Sequence, residues 1–389
     1  MSKVEELLEK YNPDGVPDKL LVECSLIDYG YPFTSSMFTD DSSYIPIIRI
    51  RDVKPGKAST YYMGNYSKEY IVKRGDILVG MDGEFNLEKW NDIDSLLNQR
   101  VARITEMPSK STKGYLYHIL GPIFKKIERE ISGGSVKHLS VKIINSISIP
   151  LPHIKVQEEI VKILDSFTNL IDALNEELSL RQKQFEYYRE KLLTFDDNTN
   201  RYCLKEVFET KNGYTPSTSN KEFWDNGNIP WFRMEDIRQN GRILNDSTLH
   251  ITRAGVKGNR LFKANSIILA TSATIGEHAL ILVEHLSNQR FTNFYPNEDF
   301  DKKVNMKYIY YYMFIIDEWC KSHVNQGGFA SVDMDGLFKL SIPIPSLAVQ
   351  QSIVEKLDAF ESLISSLKEE IALRQKQYEY YREKLLTFD

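Results

Sequence analysis

Cysteine is scarce in this chain: three residues in 389, at Cys24, Cys203 and Cys320. Their spacing fits no metal knuckle and their odd number cannot close a disulfide framework, so free thiols in a reducing cytoplasm are expected. No apolar run approaches the roughly 20 residues that span a bilayer. The first ten residues are charged and alternating rather than an apolar leader. A cytoplasmic chain with no membrane partner is therefore expected. Also missing are a Gly-Lys-Ser phosphate loop, a Gly-x-Gly-x-x-Gly dinucleotide turn and a Gly-x-Ser-x-Gly nucleophile elbow. The seven histidines do not fall into metal-ligand spacing. These gaps favour holding and recognition over catalysis, with no catalytic residue, metal or cofactor expected in this chain.

A strong charge of one sign is absent too. The net charge is −5, but it is unevenly placed. Residues 1–150 carry 20 basic and 20 acidic side chains, and 198–345 carry 17 and 16. Residues 151–197 carry 6 against 10, and 346–389 carry 6 against 8. The acidity sits in two segments, and the rest is neutral to slightly basic. This balance argues against strong non-specific binding of a polyanion by this chain alone, and leaves open phosphate contact through one basic face.

What the chain does have is a duplication. Residues 149–196 and 342–389 align without a gap at an offset of 193, and 31 of 48 positions are identical. A period of that length is a domain plus a helix, not a solenoid repeat. Within the first copy Ile160, Leu164, Phe167, Ile171, Leu174, Leu178, Arg181, Phe185, Tyr188 and Leu192 recur at steps of four and three. The second copy repeats the pattern from Ile353 to Leu385 without Pro or Gly, which is an a/d heptad seam. Ile149-Pro-Leu-Pro152 and Ile342-Pro-Ile-Pro345 mark the helix starts, because proline ends the preceding element and holds its neighbour extended. About 40 residues give a rod of roughly 60 Å. Two such seams in one chain pair most economically with each other, antiparallel about a pseudo-two-fold axis; helices of another protein are the rival partner.

The intervening segments diverge but keep a skeleton. Tyr44-Ile-Pro-Ile-Ile-Arg49 resembles Asn228-Ile-Pro-Trp-Phe-Arg233, each followed by an acid, Asp52 and Asp236. Asp76–Val79 and Ser266–Leu269 read as short buried strands. Asn98-Gln-Arg100 returns as Asn288-Gln-Arg290. Tyr115-Leu-Tyr117 and Tyr308-Ile-Tyr310 open apolar-periodic helices, and Gly133-Gly134 and Gly327-Gly328 follow them. Each segment is a mixed α/β unit, strand-rich first and helical near its end. The fold class is thus α+β: a first domain over 1–150 with a short N-terminal helix, a helix over 151–197, a second domain over 198–345 and a helix over 346–389.

Arg49, Arg51, Lys54, Arg100 and Lys137 in the first domain suit phosphate or guanine contacts, as do Arg233, Arg238, Arg242 and Arg290 in the second. Taken singly, each is more commonly a solvated charge or a fold-internal ion pair. The loops after the buried strands differ, Gly80–Asn86 carrying Asp82, Glu84 and Asn86 against Ala270–Gly276 carrying Ser272 and Thr274. Variable polar loops on a retained skeleton are where recognition usually lives. Asn-Gln-Arg, present in both copies, reads as structural. On the helices Arg181 and Arg374 interrupt the seam, either as satisfied interhelical pairs or where it opens to a partner. Tyr187, Tyr188, Arg189 and Tyr380, Tyr381, Arg382 are residue types enriched at binding hot spots. The identity between copies extends to surface positions there, as recent duplication or two equivalent docking sites would require.

Domain, Pro-x-Pro helix start followed by Gln157, second domain, the same start followed by Gln350: this order resembles the specificity subunit of type I restriction–modification systems, over essentially the whole chain. His153 and Ser346 stand where that family commonly has a second proline. The resemblance implies that each domain is a target-recognition domain reading half of a bipartite, asymmetric site in double-stranded DNA. It implies that the helices, over 153–195 and 346–388 and with Gln157, Gln182, Gln350 and Gln375, hold two DNA adenine-methyltransferase subunits. Restriction and translocase subunits would join them. S-adenosylmethionine and ATP with magnesium would belong to those partners. A two-headed coiled-coil adaptor that binds only proteins is the alternative.

Overall fold

The structure, a computed structural model, describes residues 2–131, 137–325 and 330–388. Both Gly-Gly pairs lie outside the described residues. Two helices of 40 residues each, Ile154–Leu193 and Leu347–Leu386, follow the two Pro-x-Pro starts. The N-terminal helix is Lys3–Tyr11, opened by a Ser2/Glu5 capping box and closed at Asn12. His153, which follows the first Pro-x-Pro start, stacks on Tyr11 with ring centroids 4.5 Å apart.

The chain divides into two compact units, Met1–Glu177 with Lys368–Asp389, and Leu178–Leu367. In the first unit, strands Ser25–Tyr29, Val101–Glu106, Ile77–Gly80 and Leu87–Lys89 form an antiparallel sheet in that spatial order. In the second, Phe208–Asn212, Phe291–Pro296, Ser266–Ala270 and His278–Ile281 repeat it, with Ile243–Leu244 added in parallel at the edge. The central strands are buried along their length. Successive side chains of a strand point to opposite faces. Ile77 and Val79 accordingly enter one core and Leu78 another; Ile267 and Leu269 are likewise separated from Ile268 and Ala270. Burial on both faces explains why these strands read as continuous apolar runs.

A second sheet in each unit, of five strands in the first and three in the second, carries the Ile-Pro strand, with Ile47–Ile48 parallel to Leu96–Leu97 and Trp231–Phe232 parallel to Leu286–Ser287. Each domain's ends meet in a two-stranded pair, Asp18–Leu20 with Ser148–Pro150 and Arg201–Cys203 with Ser341–Pro343. Helices Lys113–Glu130 and Met306–Ser322 cover the sheets where the tyrosine motifs placed them. Tyr115 and Tyr308 tie these helices down, each hydroxyl donating to a carbonyl of the Pro-x-Pro segment, Pro150 at 2.7 Å and Pro343 at 3.0 Å.

Each unit also takes a piece of both long helices. Val156, Ile160 and Leu164 fill the first core together with Tyr378, while Ile353, Val354 and Leu357 fill the second together with Leu193. Within the first unit Phe167 stacks on Tyr381 at 5.2 Å and 21°; within the second, Tyr188 stacks on Phe360 at 5.4 Å and 20°. The second pair is the first with the two copies of the repeat exchanged.

In the second unit His285 is fully buried between Phe232 and Phe262. Its Nδ1 donates to the Val283 carbonyl at 2.9 Å and its Nε2 accepts from Asn293 at 3.1 Å, fixing the neutral tautomer. Burial pushes its pKa down to about 4. In the unfolded chain the ring titrates near 6.5, so the unfolded state takes up the proton first. Stability is therefore held above about pH 6.5 and falls by about 3 kcal/mol as pH drops to about 4. Urea unfolding followed through the second domain between those pH values should show this slope. In His285→Gln the overall stability should be lower and this contribution to the slope gone; a slope unchanged in the variant would refute the assignment.

Candidate functional site

In both domains one frame joins three segments: the loop after the central strand, the Asn-Gln-Arg turn, and the stretch following the domain helix. Met81 N donates to the Arg100 carbonyl and Leu139 N to the Met81 carbonyl, at 2.9 and 2.7 Å. Thr271 N donates to the Arg290 carbonyl and Val332 N to the Thr271 carbonyl, both at 2.9 Å. Asp82 bridges His138 and Ser272 bridges Ser331 across this junction. The turn itself is held from beneath by glycine. A Cβ on Gly30 would lie 2.0 Å from the Asn98 carbonyl oxygen, and one on Gly213 would lie 2.1 Å from that of Asn288. Only a residue without Cβ lets the strands close there. The expectation that Asn-Gln-Arg is structural therefore fits its backbone and asparagine: Asn98 Oδ1 accepts from Gln99 N and Asn288 Oδ1 from Arg290 N.

On this shared frame the side chains differ. In the first domain Asp82 takes Arg100 on one oxygen at 2.8 Å and His138 on the other at 2.6 Å. Beside them Lys54 lies 3.7 Å from Glu84, which accepts from Asn86, while Asn86 in turn accepts from Lys125. Arg51 reaches Thr60, and Lys137 donates to the Glu128 carbonyl. Arg49 stands before a single helical turn, its backbone N–H capped by Asp52. Lys54, Asp82, Glu84, Asn86, Arg100 and Lys137 thus gather around one loop, while Arg49 and Arg51 bond to Asp52 and Thr60. His138 was not among them, although the offset of 193 sets it opposite Ser331.

In the second domain Arg233 repeats the Arg49 position, with Asp236 accepting from its N–H, and its guanidinium lies 5.9 Å from the Trp231 ring. Arg238 and Arg290 are exposed. Ser272 and Thr274 occupy the loop, the Thr274 hydroxyl being buried. Arg242 does not join them. It donates to the His278 carbonyl, lies 3.5 Å from buried Asp317 and covers Phe314, so its expected DNA role is corrected to fold-internal packing.

On the long helices the expectation needs a larger correction at Gln157 and Gln350. Both are fully buried. Gln157 Nε2 donates to the carbonyls of Lys110 and Pro152 at 2.9 and 2.8 Å, and its Oε1 accepts from Thr112 N at 2.9 Å. Gln350 repeats this with Lys303, Pro345 and Asn305, at 2.8 Å each. Every polar atom is used internally, so neither faces a partner. Arg189 is corrected as well: it lies 4.4 Å over Phe314 of the second domain, and burial there pulls its pKa down. Arg382 is half-buried and lies 5.1 Å over Tyr378, one turn back on its own helix. Arg181 and Arg374 bond to Gln184 and Gln377 one turn on. Gln182, Gln375, Tyr187 and Tyr380 remain exposed, the last two at 58% and 61%.

One further pair departs from the repeat. His118 sits between Asp165, 2.8 Å from Nε2, and the Tyr378 hydroxyl, 2.9 Å from Nδ1. At the equivalent place Tyr311 itself reaches Asp358 at 2.6 Å and faces Phe185, which has no hydroxyl. The exchange of Phe for Tyr within an otherwise identical run thus follows the domain residue it meets.

Among the described residues no helix is long and apolar enough to cross a membrane, and no His/Cys/Asp/Glu group has the arrangement of a metal site. The family model for the type I restriction modification DNA specificity domain matches twice, at residues 27–180 and 197–373. The EcoR124I/EcoR124II type I restriction enzyme specificity subunit of Escherichia coli is 32% identical over the whole chain and 97% of its own length. The EcoprrI specificity subunit of Escherichia coli is 51% identical over 48% of this chain and 49% of its own length. A crystal structure of the type I restriction–modification S subunit from M. genitalium has a similar fold, with a TM-score of 0.56, 15% identity, and coverage of 95% of this chain and 96% of that one.

Proposed function

This chain belongs to the type I restriction–modification DNA specificity family, and on that premise we propose that it reads a bipartite, asymmetric site in double-stranded DNA for a methyltransferase complex. The first domain, over 1–150, reads one half-site, and the second, over 198–345, reads the other. The observation that carries this is the doubled specificity-domain match on two frames with the same backbone bonding and different loop side chains. The helices over 151–197 and 346–389 act as an antiparallel coiled coil with pseudo-two-fold character. The symmetry-matched stacks Phe167–Tyr381 and Tyr188–Phe360 support that pairing. Two adenine-methyltransferase subunits dock on the repeated exposed faces around Tyr187 and Tyr380, and restriction subunits join that core. S-adenosylmethionine and ATP with magnesium act on those partners, and this chain contributes recognition without catalysis, in the cytoplasm. Two nearly neutral domains supply few phosphate contacts each, so affinity rests on both being engaged at once.

The test exchanges residues 20–150 for the first domain of another specificity subunit and sequences the methylome of cells carrying each version. One half of the methylated site should change and the other stay. If both halves change, or neither does, the modular reading is wrong.

A further inference from the structure

We propose that Arg100 reads a guanine of the first half-site, with Asp82 as its positioning residue, and that Arg290 reads the matching place in the second. This rests on the DNA-reading assignment above and deepens it. Three segments distant in sequence converge in both domains on the same backbone hydrogen bonds, so the position of the arginine Cα is set by the frame. What differs is the company. Asp82 and His138 flank Arg100, where Ser272 and Ser331 flank the turn bearing Arg290. A retained arginine with different neighbours is how one frame can serve two specificities.

The geometry around Arg100 favours a base over a phosphate. Its Nη1 is pinned 2.8 Å from Asp82 Oδ2, yet the side chain is 56% exposed. The carboxylate cannot swing to follow, because its other oxygen is held by His138 at 2.6 Å. The free edge of the guanidinium still offers parallel N–H donors, the fork that matches guanine O6 and N7 in the major groove. Orientation is fixed before binding, so little side-chain entropy remains to be lost. An Asp–Arg pair carries no net charge, which makes it a poor phosphate clamp and leaves direction, not attraction, as what it contributes. Arg290 has no carboxylate pinned to it among the described residues. Its discrimination should accordingly be weaker than that of Arg100.

The experiment uses the chain assembled with its methyltransferase subunits. Binding is measured against duplexes in which every base pair of both half-sites is varied singly, at two salt concentrations. Arg100→Ala should lose preference at one G·C pair of one half-site by roughly 5- to 150-fold, the range expected of one bidentate contact. The rest of the profile and the salt dependence should hold. Arg100→Lys keeps the charge without the planar fork, and should weaken the same preference by less than Arg100→Ala does, in a folded chain. Asp82→Ala should weaken discrimination at the same pair by less, and Arg290→Ala should relax one position of the other half-site. Uniform weakening over all duplexes with a shallower salt dependence would mark Arg100 as a phosphate contact and overturn the proposal. An unaltered base profile in Arg100→Ala and Arg100→Lys would overturn it as well, while leaving sequence-specific binding by the assembly intact. No sequence preference with the unaltered chain would instead bring down the DNA-reading assignment, and the proposal with it.

Discussion

Gln157→Ala and Gln350→Ala should each destabilise their own domain by about 2–4 kcal/mol, among the largest losses any single change in this chain would cause. Each glutamine, itself fully buried, satisfies one part-buried backbone N–H and two carbonyls, and alanine leaves all three without a protein partner. An unsatisfied buried polar group costs about 1–3 kcal/mol, and partial entry of water lowers the sum. A domain with the usual margin of about 5–15 kcal/mol would lose a large share of it. The bonds also have a place in the fold. They join the first turn of each long helix to the segment that starts the domain helix, Thr112 or Asn305, so the loss should free the helix start from the domain. Gln157→Glu should be worse than alanine at neutral pH, because a carboxylate would face two carbonyl oxygens. As pH falls and the carboxyl regains a proton, one of those bonds can re-form and stability should partly recover. Urea unfolding of the purified chain measures all of this. Midpoints within error of the unaltered chain would mean that the two glutamines are surface contacts after all.

That prediction also shows where sequence reading stopped. The duplication, both helices and the strand-then-helix order of each domain follow from periodicity and an offset of 193, and the structure has them. Ile154–Leu193 and Leu347–Leu386 lie within the expected segments. The helix starts were legible because proline acts on its own neighbours. The role of the glutamine was not, because its partners lie 45 and 47 residues back, and a repeated polar residue looks the same whether it faces inward or out. Arg189 fails in the same way. Arginine beside tyrosine is a hot-spot composition, but the ring that absorbs it, Phe314, lies on another element.

The candidate site was half legible. Comparing the copies locates the variable loops and Asp82 within one of them, and charge alone picks out Arg100 in the retained turn. That one carboxylate binds Arg100 and also His138 depends on a junction of three segments, which no local pattern encodes. Arg242 illustrates the opposite error. Its spacing suited a phosphate contact, but burial of Asp317 and His278 required a cation inside the fold. A buried carboxylate without a partner is costly.

Inserting one heptad after Leu174 and another after Leu367 should lengthen the gap between the two half-sites without changing either of them. Both points lie on the seam, so seven residues keep its phase, and each helix gains roughly 10 Å of rise. On B-DNA that is about three base pairs at ~3.4 Å each. Three pairs also rotate one half-site by about 100° relative to the other, from roughly 10–10.5 pairs per turn. The DNA must twist or bend to follow, which costs on the order of a few kcal/mol. The gap should therefore grow by about one to three pairs, with some loss of affinity set by that deformation. A four-residue insertion at the same points should do worse, because it moves the seam by a fraction of a heptad and locally unwinds it. Methylome sequencing of cells carrying the extended chain reads the outcome directly. The same half-sites with a wider gap mean that helix length sets the spacing. An active extended chain that still methylates the original gap would show that the helices hold partners but do not measure DNA.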